Sequence, residues 1–203
     1  MTEPQETSQY FAAAPAVTSA TETVRVRFVT PPLLLRTDRG VFSHGRVDAG
    51  TEVLLRQGPR PASTGTYLDL GCGAGVIALT LGRRAPESRV IAVDVNERAR
   101  TLCAANAVDN GIGNIEVLAP EAVDPALRFD AIWSNPPIRV GKAALHELLL
   151  TWLDRLTADG TAYLVVHKNL GSDSLQRWLT DAGWPTERLL SAKGYRVLAV
   201  TRP

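Results

Sequence analysis

Cysteine and histidine are scarce in this chain, and neither is spaced for metal or redox chemistry. The two cysteines, Cys72 and Cys103, show no metal-ligand or dithiol spacing, which fits a reducing compartment. The three histidines, His44, His146 and His167, are scattered and read as surface or strand-end residues. No charge of one sign dominates. A formal net charge of +1 and a pI near 7.8 give no global pull toward nucleic acid or membrane, so any basic surface must be local. No apolar run reaches the roughly 20 residues that a bilayer demands, and no internal repeat is visible. The opening stretch "MTEPQETSQYFAAAPAVTSA" lacks a basic start and a continuous apolar core, so it does not read as a signal peptide. Its Thr, Ser, Ala and Pro content predicts a disordered tail over residues 1–20. These absences point to a cytoplasmic protein with no membrane partner.

What is present fits one decorated domain: 203 residues, of which 45% are hydrophobic, are enough to bury a core. Residues 21–65 read as an amino-terminal β extension, with "TVRVRFVT" alternating apolar and basic residues and a second strand after Pro31-Pro32. From residue 66 to 203, strands and helices alternate. Strands are predicted at Tyr67–Leu70, Arg89–Asp94, Asn114–Leu118, Phe129–Ser134, Thr161–His167, Glu187–Leu190 and Arg196–Val200. One helix is predicted over Ala143–Leu156, its apolar face carrying Leu145, Leu148, Leu149, Trp152, Leu153 and Leu156. A later one carries Leu175, Trp178 and Leu179, with Ser172 as its N-cap and Gly183 as its stop. Asn96 caps a third. Such alternation predicts an α/β fold: a mostly parallel sheet covered by helices on both faces. The short "SAKGY" link makes the last strand antiparallel.

Two motifs carry chemistry. "LDLGCGAG" follows a strand and opens a helix; Gly71, Gly73 and Gly75 permit positive φ and close approach of a ligand, and Cys72 offers its backbone N–H. Asp69 would be unwelcome beside a pyrophosphate but suits a ligand with an ammonium. Asp94 ends the next strand, where an acid can accept both hydroxyls of a ribose, and Val95 beside it is assigned to the same site. A glycine turn alone occurs in many α/β proteins; the turn with both acids is more telling. The second motif, "SNPPIRVGK", stops a core strand on Asn135 and adds Pro136 and Pro137, which cannot continue a ladder. It makes a stiff corner at the carboxyl end of a strand, where open α/β sheets place ligands.

Together these motifs resemble the class I S-adenosylmethionine-dependent methyltransferases. "GVFSHGRVDAGTEVLL", "NPPIRVGK" and "KGYRVL" are similar to the small-subunit ribosomal RNA guanine-N2 methyltransferases. The resemblance spans Val24 to the carboxyl end. It implies a Rossmann-like seven-stranded sheet, S-adenosyl-L-methionine as cofactor, and methyl transfer to a guanine amine of 16S ribosomal RNA. The substrate would be ribosomal RNA or the small ribosomal subunit, and the enzyme a monomer or homodimer. It places Asn135, Pro136 and Pro137 at the reacting amine and puts Glu121 where the family commonly has an Asp for adenine. Ile138 stands where related enzymes carry an aromatic, so Phe42 is expected to grip the base. Arg139, Lys142 and Lys168, by default solvated surface, are expected to form a basic rim for phosphates. Asp48 and Thr51 either order the loop over the cofactor or cap a helix starting near Gly50. Two other functions share some of these features: a protein glutamine-N5 methyltransferase and a non-catalytic ribosome-assembly factor. Ile138 and the segment from Gly40 to Leu55 argue against the first, and the intact Asn-Pro-Pro against the second.

Overall fold

The computed structural model describes residues 18–203, so most of the expected tail lies outside the described residues. Within them, Ser19 and Ala20 are held by the carboxylate of Asp38. A two-stranded antiparallel hairpin follows, β1 (Thr21–Val26) and β2 (Leu33–Asp38). The chain then forms α1 (Ala49–Gln57), β3 (Thr66–Leu70), α2 (Val76–Arg84), β4 (Arg89–Val93) and α3 (Glu97–Asp109). Next come β5 (Ile115–Leu118), β6 (Phe129–Ser134), α4 (Lys142–Leu153), β7 (Leu156–His167), α5 (Ser172–Asp181), β8 (Thr186–Ala192) and β9 (Tyr195–Thr201).

Strands β3 to β9 form one seven-stranded sheet in the order β5-β4-β3-β6-β7-β9-β8. The first five are parallel, and β9 runs antiparallel between β7 and β8, as the short link requires. After β5 the chain returns to the other side of β3, so the order reverses between β3 and β6. That reversal opens a crevice at the strands' carboxyl ends. Period-2 alternation splits the sheet's apolar residues between two cores. Tyr67, Ala131, Trp133 and Val165 face the layer of α1–α3 and the hairpin. Leu68, Leu70, Ile132, Leu164 and Val166 face α4 and α5.

The hairpin is attached through two asparagines one helical turn apart. Asn106 on α3 and Asn110 at its C-cap each accept from and donate to the backbone of β2, at Arg36 and Leu34, so their amides act as a partner strand. Asn106 also donates to the carbonyl of Ala74 in the glycine loop, so the extension and the loop share one anchor.

Several strand ends differ from the sequence reading by one or two residues, and two boundaries differ in kind. Leu156 does not close the helix that starts near residue 142. That helix ends at Leu153, and Leu156 instead begins β7 and pairs with Phe129. The strand extends beyond its apolar run through an irregularity between Leu156 and Thr161, and a Cβ on Gly160 there would lie 2.8 Å from the carbonyl of Phe129. Ser172 is not the N-cap of α5; Gly171 in the left-handed region is, and the buried Ser172 hydroxyl accepts from Arg196.

Candidate active site

The carboxyl ends of β3, β4, β6 and β7 open into a cavity of about 580 Å³. Its floor is the glycine loop. Gly71 and Cys72 both donate to the carbonyl of Val93, which ties the loop to β4. Gly71 (φ 79) and Gly73 (φ 52) are left-handed; a Cβ on Gly71 would meet no atom within 4 Å and one on Gly73 only Val41, at 4.0 Å. Their backbones are open to a ligand. Gly75 differs: a Cβ there would lie 2.5 Å from the Cys103 Sγ, so this glycine permits close packing of α2 on α3.

Asp94 sits at the cavity wall with both oxygens engaged. Oδ2 accepts from Gly73 and Oδ1 from the backbone of Asn96, each at 2.9 Å. Each oxygen retains a second lone pair for a ligand hydroxyl. Burial pushes its pKa up, opposed by these two N–H bonds and by Arg100. Asn96 caps α3 through Oδ1, while its Nδ2 donates to the carbonyl of Gly40. The cap thereby links the Asp94 corner to the segment after the hairpin.

Asp69 occupies a different position from the one expected. Its carboxylate is fully buried on the α1–α3 side, where Oδ2 accepts from Ala78 at 2.9 Å and Oδ1 has no partner. It does not line the cavity; it braces the loop against α2. Burial raises its pKa to about 8, against the Ala78 bond, with Asp94 adding to the rise.

On the opposite wall stand Asn135, Pro136 and Pro137. Asn135 Nδ2 donates to Asp48 Oδ1 at 2.7 Å and Thr51 Oγ1 at 3.1 Å. Asp48 Oδ1 accepts here, as it does from Thr51 N–H, so the atom facing it is the amide nitrogen and the amide oxygen is left for the cavity. Asp48 does this while capping α1 through Thr51 N–H. The helix-cap reading holds for Asp48, with Thr51 as the residue capped, and the same carboxylate orients the Asn135 amide. Pro137 lies at φ −76, ψ 75, and Ile138 N–H donates to the Pro136 carbonyl at 2.9 Å. This is an inverse γ-turn, and it sets the carbonyl's direction.

Phe42, Val95, Ile138 and Arg139 also line the cavity. Glu121, Lys142 and Lys168 do not; all three are exposed. Pro120 reaches the wall, but the 3-10 turn Pro120–Ala122 carries Glu121 outward. Cys72 does not offer its N–H to a ligand, because the Val93 carbonyl takes it; the residue lines a smaller annex with Phe42 and Ser43. The sequence reading passed over Arg46, Leu148, Trp152, His167 and Tyr195, all of which line the main cavity. Arg46 and Arg139 are exposed there, with no acidic group within 4 Å among the described residues.

The family model of the methyltransferase small domain matches residues 32–199. The chain belongs to that family. This methyltransferase small domain is similar to YbxB of Bacillus subtilis (strain 168), 33% identical over 192 residues that cover 93% of this chain and 96% of YbxB. It is also similar to the ribosomal RNA small subunit methyltransferase C of Pseudomonas aeruginosa (strain LESB58), 37% identical over 173 residues. That match covers 80% of this chain and 49% of the relative, so the chain spans about half of the relative's length. Among solved structures, the T. thermophilus 16S rRNA N2 G1207 methyltransferase (RsmC) in complex with AdoMet and guanosine superposes with a TM-score of 0.74. Identity there is 24%, over 93% of this chain and 52% of that one, a likeness of fold. Membership makes this chain a methyltransferase, an enzyme class whose methyl donor is S-adenosyl-L-methionine. The site's own geometry fits that group: Gly71 and Gly73 leave open backbone beside a carboxylate with lone pairs to spare. Among the described residues, no helix is long and apolar enough to cross a membrane.

Proposed function

We propose that this chain methylates the exocyclic N2 amine of a guanine in small-subunit ribosomal RNA. The observation that carries the reading is the oriented amide of Asn135, locked by Asp48 and Thr51 beside the rigid Pro136-Pro137 corner. Curated relatives named for ribosomal RNA methylation support the substrate class.

An exocyclic guanine amine shares its lone pair with the ring and is a poor nucleophile. The Asn135 oxygen and the remaining lone pair of the Pro136 carbonyl can each accept one N–H of that amine. Holding both hydrogens favours the pyramidal nitrogen and leaves its lone pair directed away from the two acceptors. Bound S-adenosylmethionine supplies an electrophilic methyl group for that lone pair. Asp94 and the open backbones of Gly71 and Gly73 are assigned to holding the cofactor's ribose and chain. Neither acceptor reorganises during transfer, because each is fixed beforehand by another bond. No side-chain base is needed, since the alkylated nitrogen is acidic and releases its proton to water.

Mass mapping of ribosomal RNA from cells with and without the protein tests the reading. One N2-methylguanosine should vanish without the protein and return with the wild type, but not with Asn135→Ala. An unchanged map would overturn it.

A further inference from the structure

We infer that Tyr195 forms the stacking wall of the substrate pocket, the aromatic surface against which a target base rests. This rests on the proposed function and specifies how the same site grips its substrate. The need for such a residue begins at Ile138, which gives the Asn-Pro-Pro corner only aliphatic contact. A target base held there gains much from an aromatic face, because stacking works through the π surface that every base presents.

Tyr195 is delivered by a turn with its own stringent geometry. Lys193 (φ 50) and Gly194 (φ 82) are both left-handed, the pattern of the two-residue hairpin that joins twisted antiparallel strands. The turn is tied back to β7 by Lys168 N–H donating to the Gly194 carbonyl at 2.8 Å. It makes Tyr195 the first residue of β9, directly across from His167 at the end of β7. The two rings meet edge to face, with centroids 4.9 Å apart and planes at 81°.

The Cδ1–Cε1 edge of the ring lies against Gly50. A Cβ on that glycine would lie 2.6 Å from Tyr195 Cδ1 and Cε1 and 3.1 Å from Asp48 Oδ1. The tyrosine and the carboxylate that orients Asn135 therefore share one small space, and a side chain at residue 50 would intrude on both. Asp48 and Arg46 also bear on the phenol, in opposite senses, while burial does most to raise its pKa. The half-buried ring is thus held in place before any substrate arrives, and it lines the same cavity as Asn135 and Ile138. A rigid aromatic costs little entropy on binding.

The test compares wild type, Tyr195→Phe, Tyr195→Leu and Gly50→Ala in three measurements. These are calorimetric binding of guanosine, KM and kcat for methyl transfer to small-subunit ribosomal RNA, and Kd for S-adenosylmethionine. Tyr195→Phe keeps the ring and should stay within about threefold of wild type. Tyr195→Leu should weaken guanosine binding and raise the RNA KM by about tenfold, the loss of one stacked base. Its cofactor Kd and melting temperature should change little. Gly50→Ala should improve the helix on propensity alone, yet raise the RNA KM by displacing the ring. Guanosine binding that is undetectable, or equal in wild type and Tyr195→Leu, overturns the inference; so does a Leu variant whose cofactor Kd rises in step with its KM. Wild type that binds guanosine through Tyr195 but transfers no methyl to RNA sinks the proposed function and leaves the stacking wall standing.

Discussion

Asp48 holds the side-chain amide of Asn135 at 2.7 Å across 87 residues of sequence. One carboxylate oxygen thus serves as helix cap and as the clamp that decides which way the amide points. Asp48→Ala should cost about 1 kcal/mol of stability from the lost cap and lower turnover by roughly tenfold to a hundredfold. Asp48→Asn can accept the same two N–H groups and should recover most of both. Steady-state kinetics with a cofactor titration checks this. Wild-type kcat in a folded Asp48→Ala protein would mean that Asn135 needs no clamp.

Asp94→Ala should weaken S-adenosylmethionine binding by about 2–3 kcal/mol, the value of hydrogen bonds to a charged acceptor. Part of that loss comes through Gly73, whose N–H bonds the same carboxylate. Calorimetry on the folded variant measures it, and unchanged affinity would remove Asp94 from the site.

Asp69 sets a pH dependence. In the cofactor-free protein its carboxyl keeps a proton up to about pH 8, while an ordinary aspartate releases it near 3.8. The folded state therefore binds more protons than the unfolded state between those values, so this group's contribution to stability falls as pH rises through the window. Asp69→Asn should flatten that slope. Denaturant unfolding at several pH values checks it, and parallel profiles for wild type and variant would contradict it.

Arg46 and Arg139 are exposed where they line the cavity, and the proposed function assigns them to phosphates. Arg46→Glu with Arg139→Glu should weaken RNA binding and reduce the slope of log K against log salt by about one unit per lost contact. The same change at Lys168, outside the cavity, should have less effect. Equal effects at all three positions would point to diffuse charge in place of a rim.

The sheet was legible because its strands are short apolar runs bounded by turns, and the glycine loop because positive φ restricts residue choice. The ends of α4 and β7 were not, because Leu156 satisfies helical spacing as well as a strand's need for burial. At Asp69 the residue type was right for a ligand, but which face of β3 it occupies depends on sheet pairing that one segment cannot reveal. Arg46 and Tyr195 lay inside recognisable segments, yet only folding brings residues 46, 135 and 195 around one cavity. The Asn135 clamp was invisible for the same reason: its partners lie on α1, far away in sequence.

The most direct measurement incubates the purified protein with S-adenosylmethionine carrying an isotopically labelled methyl group, together with small-subunit ribosomal RNA and ribosomal protein. Digestion to nucleosides and amino acids, followed by mass spectrometry, locates the label. Label is expected in N2-methylguanosine with wild type, reduced by about 10²–10³ in rate with Asn135→Ala at nearly constant cofactor affinity. Label on a glutamine side chain and none in RNA would contradict it.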